Sequence, residues 1–156
     1  MHSGSRRLTH VLGLSGGNLV SRIDQFNHAC SLIFNQLYDA FPVPIDIQDN
    51  SLGFFAKNDP SNEPREILSA TFVFLADEGY IIYDRASDQK AVKYDVRLTS
   101  KGLARLQRIP HGVRPLTKPI IDQLKEALTS VGRNASSSAI AGATKQVLSL
   151  IFGGQA

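Results

Sequence analysis

The sequence predicts an α+β chain, mostly helical, and three observations carry that expectation. Apolar residues recur at three-and-four spacing over 26–41 and again in two stretches beyond residue 118, as helices with one buried face require, and over 63–78 Ile67, Leu68, Phe72, Val73, Phe74 and Leu75 cover more than one helical face. Between 80 and 98 the period changes to two on either side of a polar loop, the pattern of a half-buried hairpin. Glycine and proline stand at the joints between these segments, at Pro42, Pro44, Gly79 and Pro110.

The first helix is expected over Arg22 to Ala40. Phe26, Ala29, Cys30, Ile33, Phe34, Leu37 and Phe41 share one face, and Ser21 with Asp24 three residues on forms a capping pair. Pro42 and Pro44 end it, since proline donates no hydrogen bond and restrains its predecessor. Ile45 to Ile47 then reads as a short edge strand, and Ser51 to Lys57 as a short helix capped by Asp49 or Asn50. A second long helix runs from Glu63 to Glu78, with Ser61 or Asn62 as cap and Pro64 in the first turn. Gly79 gives its left-handed stop.

Tyr80 to Asp84 and Ala91 to Leu98 read as the two strands of the hairpin, with Val92, Tyr94, Val96 and Leu98 on one face and Arg85 to Lys90 as its loop. Thr99 caps a helix over Ser100 to Arg108, which holds Gly102 in its interior at a cost of roughly 1 kcal/mol against alanine. Pro110 ends that helix, and 109–117 is a linker. Two helices follow, Lys118 to Val131 and Ser138 to Phe152, separated by a break at 132–137.

The chain's 156 residues suit one domain with an appendage, and an apolar share of 42% with 20% charged residues is that of a water-soluble globule. No apolar run approaches the roughly 20 residues of a membrane span. Residues 1–19 are polar, with only Val11 to Leu14 apolar, which is too short for a secretory signal; they read as a disordered leader, and the expected setting is cytoplasmic. The lone Cys30 can form no disulfide within the chain and lies on the apolar face of the first helix, the place of a small buried hydrophobe.

The net charge of +3 hides an asymmetry. From Asp39 to Asp84 nine acids face only Lys57 and Arg65; from Arg85 to Lys118 nine bases face only Asp88 and Asp95. No catalytic constellation accompanies it, so no enzyme is expected. His2, His10, His28 and His111 lack metal-ligand spacing. Gly13 to Gly17 lacks the lysine and preceding strand of a phosphate loop, and Ser15 does not sit in a nucleophile elbow. No metal and no cofactor is expected, and His28 reads as a surface or half-buried side chain rather than a base.

Phe74-Leu75-Ala76-Asp77-Glu78-Gly79-Tyr80-Ile81 resembles the end of a winged-helix third helix entering its wing. Leu98-Thr99-Ser100-Lys101-Gly102-Leu103 resembles the L-T-x-K-G exit after the wing in bacterial regulators of the MarR and PadR type. The resemblance covers about 20–108. It implies a winged helix with a two-stranded wing at 20–108 and a C-terminal helical pair at 118–156 that either dimerises or covers the core.

A winged helix sets its third helix in the major groove and its wing along the backbone, so the resemblance implies double-stranded DNA as partner and transcriptional regulation as function. The wing and its flank offer Arg85, Lys90, Lys93, Arg97, Lys101 and Arg105, and the third helix offers Arg65 and Ser69. The same bases also read as an ordinary solvated face. Glu63 and Glu66 oppose phosphate, and Arg65 is the only long base on that helix, which suits the alternative of an adaptor that binds proteins without reading DNA. A homodimer is implied as well, with Ile140, Val147, Leu148, Ile151 and Phe152 as its seam. Membrane association is not expected, because Lys145 is the only base on the last helix.

Overall fold

A computed structural model describes residues 21–55, 62–110, 118–132 and 135–153. The expected leader and most of the linker lie outside them. Among the described residues the chain is α+β and mostly helical. In order it has α1 (Arg22–Ala40), β1 (Ile45–Gln48), a 3-10 turn (Asp49–Leu52), α2 (Glu63–Asp77), β2 (Ile81–Ile82), β3 (Arg85–Ala86), β4 (Val92–Leu98), α3 (Ser100–Gln107), α4 (Ile120–Val131) and α5 (Ser137–Gly153). Of the short helix expected over 51–57, residues 51 and 52 belong instead to that 3-10 turn, closed by Gly53 in the left-handed region, and 56 and 57 lie outside the described residues.

The local rules act where they were expected. Ser21 Oγ accepts from the Asp24 amide and Thr99 Oγ1 from the Gly102 amide, each satisfying a first-turn donor. Gly79, at φ 84°, ends α2, and the Tyr80 amide bonds back to Leu75 O.

β4 is the middle of a small antiparallel sheet, with β1 on one side and β2 and β3 on the other. Arg85 and Ala86, expected in the loop, pair with Tyr94 and Lys93. The turn proper is 87–90, where Ser87 Oγ accepts from the Ala91 and Val92 amides.

One backbone feature rearranges the side chains of β4. Ile45 pairs with Val96 but Ile47 with Lys93, so β4 carries an extra residue, and Asp95 takes φ 56° with its amide held by Asp46 Oδ1. Such a bulge shifts the alternation by one position. Lys93 therefore points inward with Val96 and Leu98, whereas Val92 and Tyr94 lie half-exposed.

The core gathers α1, α2, the inner face of the sheet and the last two helices. Phe34, Phe72, Leu75, Val96 and Leu98 form its centre. The expected dimer seam needs correcting. Ile140, Val147, Leu148 and Ile151 are buried within the chain, where α5 lies against α1 and α4. Phe152 packs its ring within 5.4–6.1 Å of Phe26, Phe34, Phe74 and Tyr80. An apolar stripe must be covered, and here the chain covers its own.

Gly102 is required by a close approach. A Cβ there would lie 2.2 Å from Tyr80 O, a carbonyl fixed by the Thr99 amide and hydroxyl. Overpacking against fixed backbone costs about 1–3 kcal/mol, more than the roughly 1 kcal/mol that alanine gains in helix propensity. Gly102→Ala is thus expected to lower the urea midpoint; a raised midpoint would mean that α3 moves freely away from β2.

Candidate functional site

The described surface offers a cleft of about 460 Å³ between α2 and the hairpin, lined on the helix side by Arg65, Glu66, Ser69, Ala70 and Val73 and on the hairpin side by Tyr83, Ala86, Gln89, Lys90 and Lys93. Two turns of α2 supply one wall, because residues three and four apart share a helix face. The inward turn of β4 supplies the floor.

At that floor Lys93 is 2% exposed. Its ammonium donates to Lys90 O at 2.5 Å, to Asp49 Oδ1 at 3.4 Å and to Ser69 Oγ at 3.4 Å, and it lies 4.8 Å from the Phe72 ring centroid. Burial pushes the Lys93 ammonium below its ordinary pKa and the Asp49 carboxyl above its own; in both, desolvation outweighs the attraction of the partner. Lys93 is therefore a structural cation and not the exposed wing base expected of it.

The other expected bases divide by what their side chains touch. Arg105 donates to Ile151 O and the neighbouring Arg108 to Leu150 O, so two guanidinium groups cap the C-terminal carbonyls of α5. Arg105 is half-buried in that role rather than aligned on a binding edge. Lys101 reaches Glu78 O at 2.7 Å and lies over the Tyr80 ring.

Arg85, Lys90 and Arg97 stay exposed on the hairpin, Arg85 stacked 4.1 Å from the Tyr94 ring centroid and 3.9 Å from Asp84. On α2, Arg65 is exposed with its guanidinium 4.9 Å from the Phe55 ring centroid, and Ser69 is half-buried beside Lys93.

The outward ridge of α2 is acidic and apolar. Glu63, Glu66, Asp77 and Glu78 are exposed, and between them stand Ala70, Val73 at 49% and Phe74 at 39% exposure. The run Phe72 to Leu75 splits, with Phe72 and Leu75 in the core and Val73 and Phe74 outside.

His28, expected at or near the surface, is instead buried at 2% exposure, against Phe54, with Nδ1 2.6 Å from Ser137 Oγ. A hydroxyl beside an imidazole is the contact a nucleophile and base make, but burial lowers this imidazole to about 4, a weak base at neutral pH. Burial likewise pushes the Cys30 thiol well above its ordinary range. A wider concavity of about 600 Å³ lies between α1, the 3-10 turn, α4 and α5; its cation, Lys125, is held at 2.7 Å by both Asn35 and Asp39. Among the described residues no group of histidine, cysteine and carboxylate side chains could hold a metal, and no helix is long and apolar enough to cross a membrane.

No family model, curated protein or solved structure matches this chain.

Proposed function

We propose that α1 through α3 form a winged helix whose α2 docks a protein partner, and that the module acts as an adaptor without sequence-specific DNA recognition. The observation that carries this reading is the outward ridge of α2, where Ala70, Val73 and Phe74 stand among Glu63, Glu66 and Asp77. Base readout needs donors in the groove, and the sole long one on this helix, Arg65, leans on Phe55. Carboxylates there would face phosphates and repel them. The order of helices and strands, the Gly79 stop and the ribbon of β2, β3 and β4 support the winged-helix assignment. A lone buried thiol suits a cytoplasmic setting. A homodimer, if formed, uses surface other than the C-terminal stripe.

A second reading, a DNA-binding regulator of the bacterial winged-helix type, rests on Arg85, Lys90 and Arg97, which leave three exposed cations on the ribbon. Titrating salt against duplex DNA of random sequence separates the two. Under the adaptor reading binding is weak, indifferent to sequence, and has a log–log salt slope no steeper than about −3, since three cations displace at most three counterions. Arg85→Glu with Lys90→Glu abolishes even that. Selection of one duplex sequence whose tight binding is lost with Arg65→Ala would overturn the adaptor reading in favour of DNA recognition.

A further inference from the structure

The groove between α1 and α2 is lined by Arg22, Ile23, Phe26, Ile67, Ala70 and Phe74, and encloses about 450 Å³. We propose that it receives a cationic amphipathic helix of a protein partner. This rests on the docking reading above and names the partner's chemistry.

Three features select that occupant. The walls are apolar side chains left open to water, Ile23 at 62% and Phe74 at 39% exposure. Thr71, at the floor, is buried with its hydroxyl spent on Ile67 O at 2.7 Å, so no polar group waits there for a hydrogen-bonding ligand. The Phe74 ring is fixed edge-on to Phe26 at 5.2 Å and to Phe152 at 5.9 Å, so the wall is formed before any partner arrives.

The apolar positions 67, 70 and 74 run along two turns of α2, the length over which a partner helix sets anchors at i, i+3 or i+4 and i+7. The rim then fixes the charge. Glu66 and Asp77 lie on the same rows as Ala70 and Phe74 and are exposed, whereas Arg22 and Glu63 pair at the rim at 3.2 Å and offset one another, which leaves the rim net acidic. A patch with an acidic rim attracts lysine and arginine and repels phosphate. It also disfavours a second copy of this chain, because a two-fold contact would set Glu66 and Asp77 against the same patch.

The test uses the full chain and two synthetic helical peptides with the same leucine face, one flanked by lysine and the other by glutamate. Fluorescence anisotropy at low salt is expected to show the lysine peptide binding roughly tenfold tighter than its twin, with the gap closing as salt screens the rim. Ile23→Glu, at an exposed site that leaves the core intact, removes binding, and Phe74→Glu does the same. Glu66→Lys with Asp77→Lys reverses the preference.

Tighter binding of the glutamate peptide, still dependent on Ile23, would overturn the partner's charge and leave the docking reading standing. Equal binding that ignores Ile23, beside Arg65-dependent binding of a selected duplex, would overturn both. Failure of both peptides to bind overturns the proposal, and sedimentation of the full chain as a dimer that Ile23→Glu dissociates would assign the groove to a second copy.

Discussion

Lys93→Met is expected to destabilise the fold by about 3–5 kcal/mol, the usual cost of stranding one partner of a buried ion pair. The side chains of Lys93 and Asp49 are only 2% and 4% exposed, so solvent cannot take over the role of the missing partner. The lost ammonium also leaves Lys90 O and Ser69 Oγ without their shared donor. The pair itself is not a source of stability, since desolvation shifts both groups toward their neutral forms despite their attraction.

Two further results follow from that sign. Asp49→Leu combined with Lys93→Met should recover most of the loss, because a pair replaced by apolar groups carries no stranded charge. In the single variant the deficit should shrink as pH falls, since Asp49 escapes its burial penalty by taking a proton. Urea unfolding of the two single variants and the double variant measures all of this. A single variant within about 0.5 kcal/mol of the wild type, the range of an ordinary surface change, would show that Lys93 reaches water after all.

The same residue marks where the sequence stops being legible. Period-two alternation put Val92, Tyr94, Val96 and Leu98 inward, and that holds for Val96 and Leu98. It fails upstream of Asp95, because a bulge is a backbone event and no side-chain pattern records it. Aspartate tolerates the left-handed region better than most residues, yet nothing nearby singles out Asp95 for it.

α1 was legible in its bounds, its cap and one face. Its second face, with Gln25, His28 and Ser31 buried, was not, because what buries it is α5, more than ninety residues further along the sequence. The stripe on α5 was legible as apolar but silent on who covers it: burial by the same chain and burial by a partner demand the same residues. On α2 four apolar residues in succession cover more arc than a core can take, so half of them had to face outward. Packing against α1 and the sheet decides that these are Val73 and Phe74. The bases followed the same logic, since composition counts charges and does not reveal that Arg105 and Arg108 turn to the end of another helix.

That second face of α1 carries the other large effect, a loss of stability in mild acid. His28 has a folded-state pKa of about 4 against an ordinary 6.5, and burial is the cause. A group whose pKa is depressed by folding contributes stability above its unfolded value and loses it as pH falls through the folded one. The contribution is therefore intact at pH 7, erodes below about 6.5 and is largely spent near pH 4. The shift corresponds to roughly 3 kcal/mol, at about 1.4 kcal/mol per unit.

The geometry explains why the neutral ring is preferred. Nδ1 has Ser137 Oγ at 2.6 Å, Phe54 packs on the ring, and Nε2 is buried with no hydrogen-bond partner among the described residues. A second proton would place a charge in a site where burial penalises it. His28→Gln keeps a polar group able to meet Ser137 and removes the titration. Urea midpoints from pH 7 to pH 4 should fall steeply for the wild type and by about 3 kcal/mol less for His28→Gln. Parallel pH profiles for the two proteins would sink this assignment.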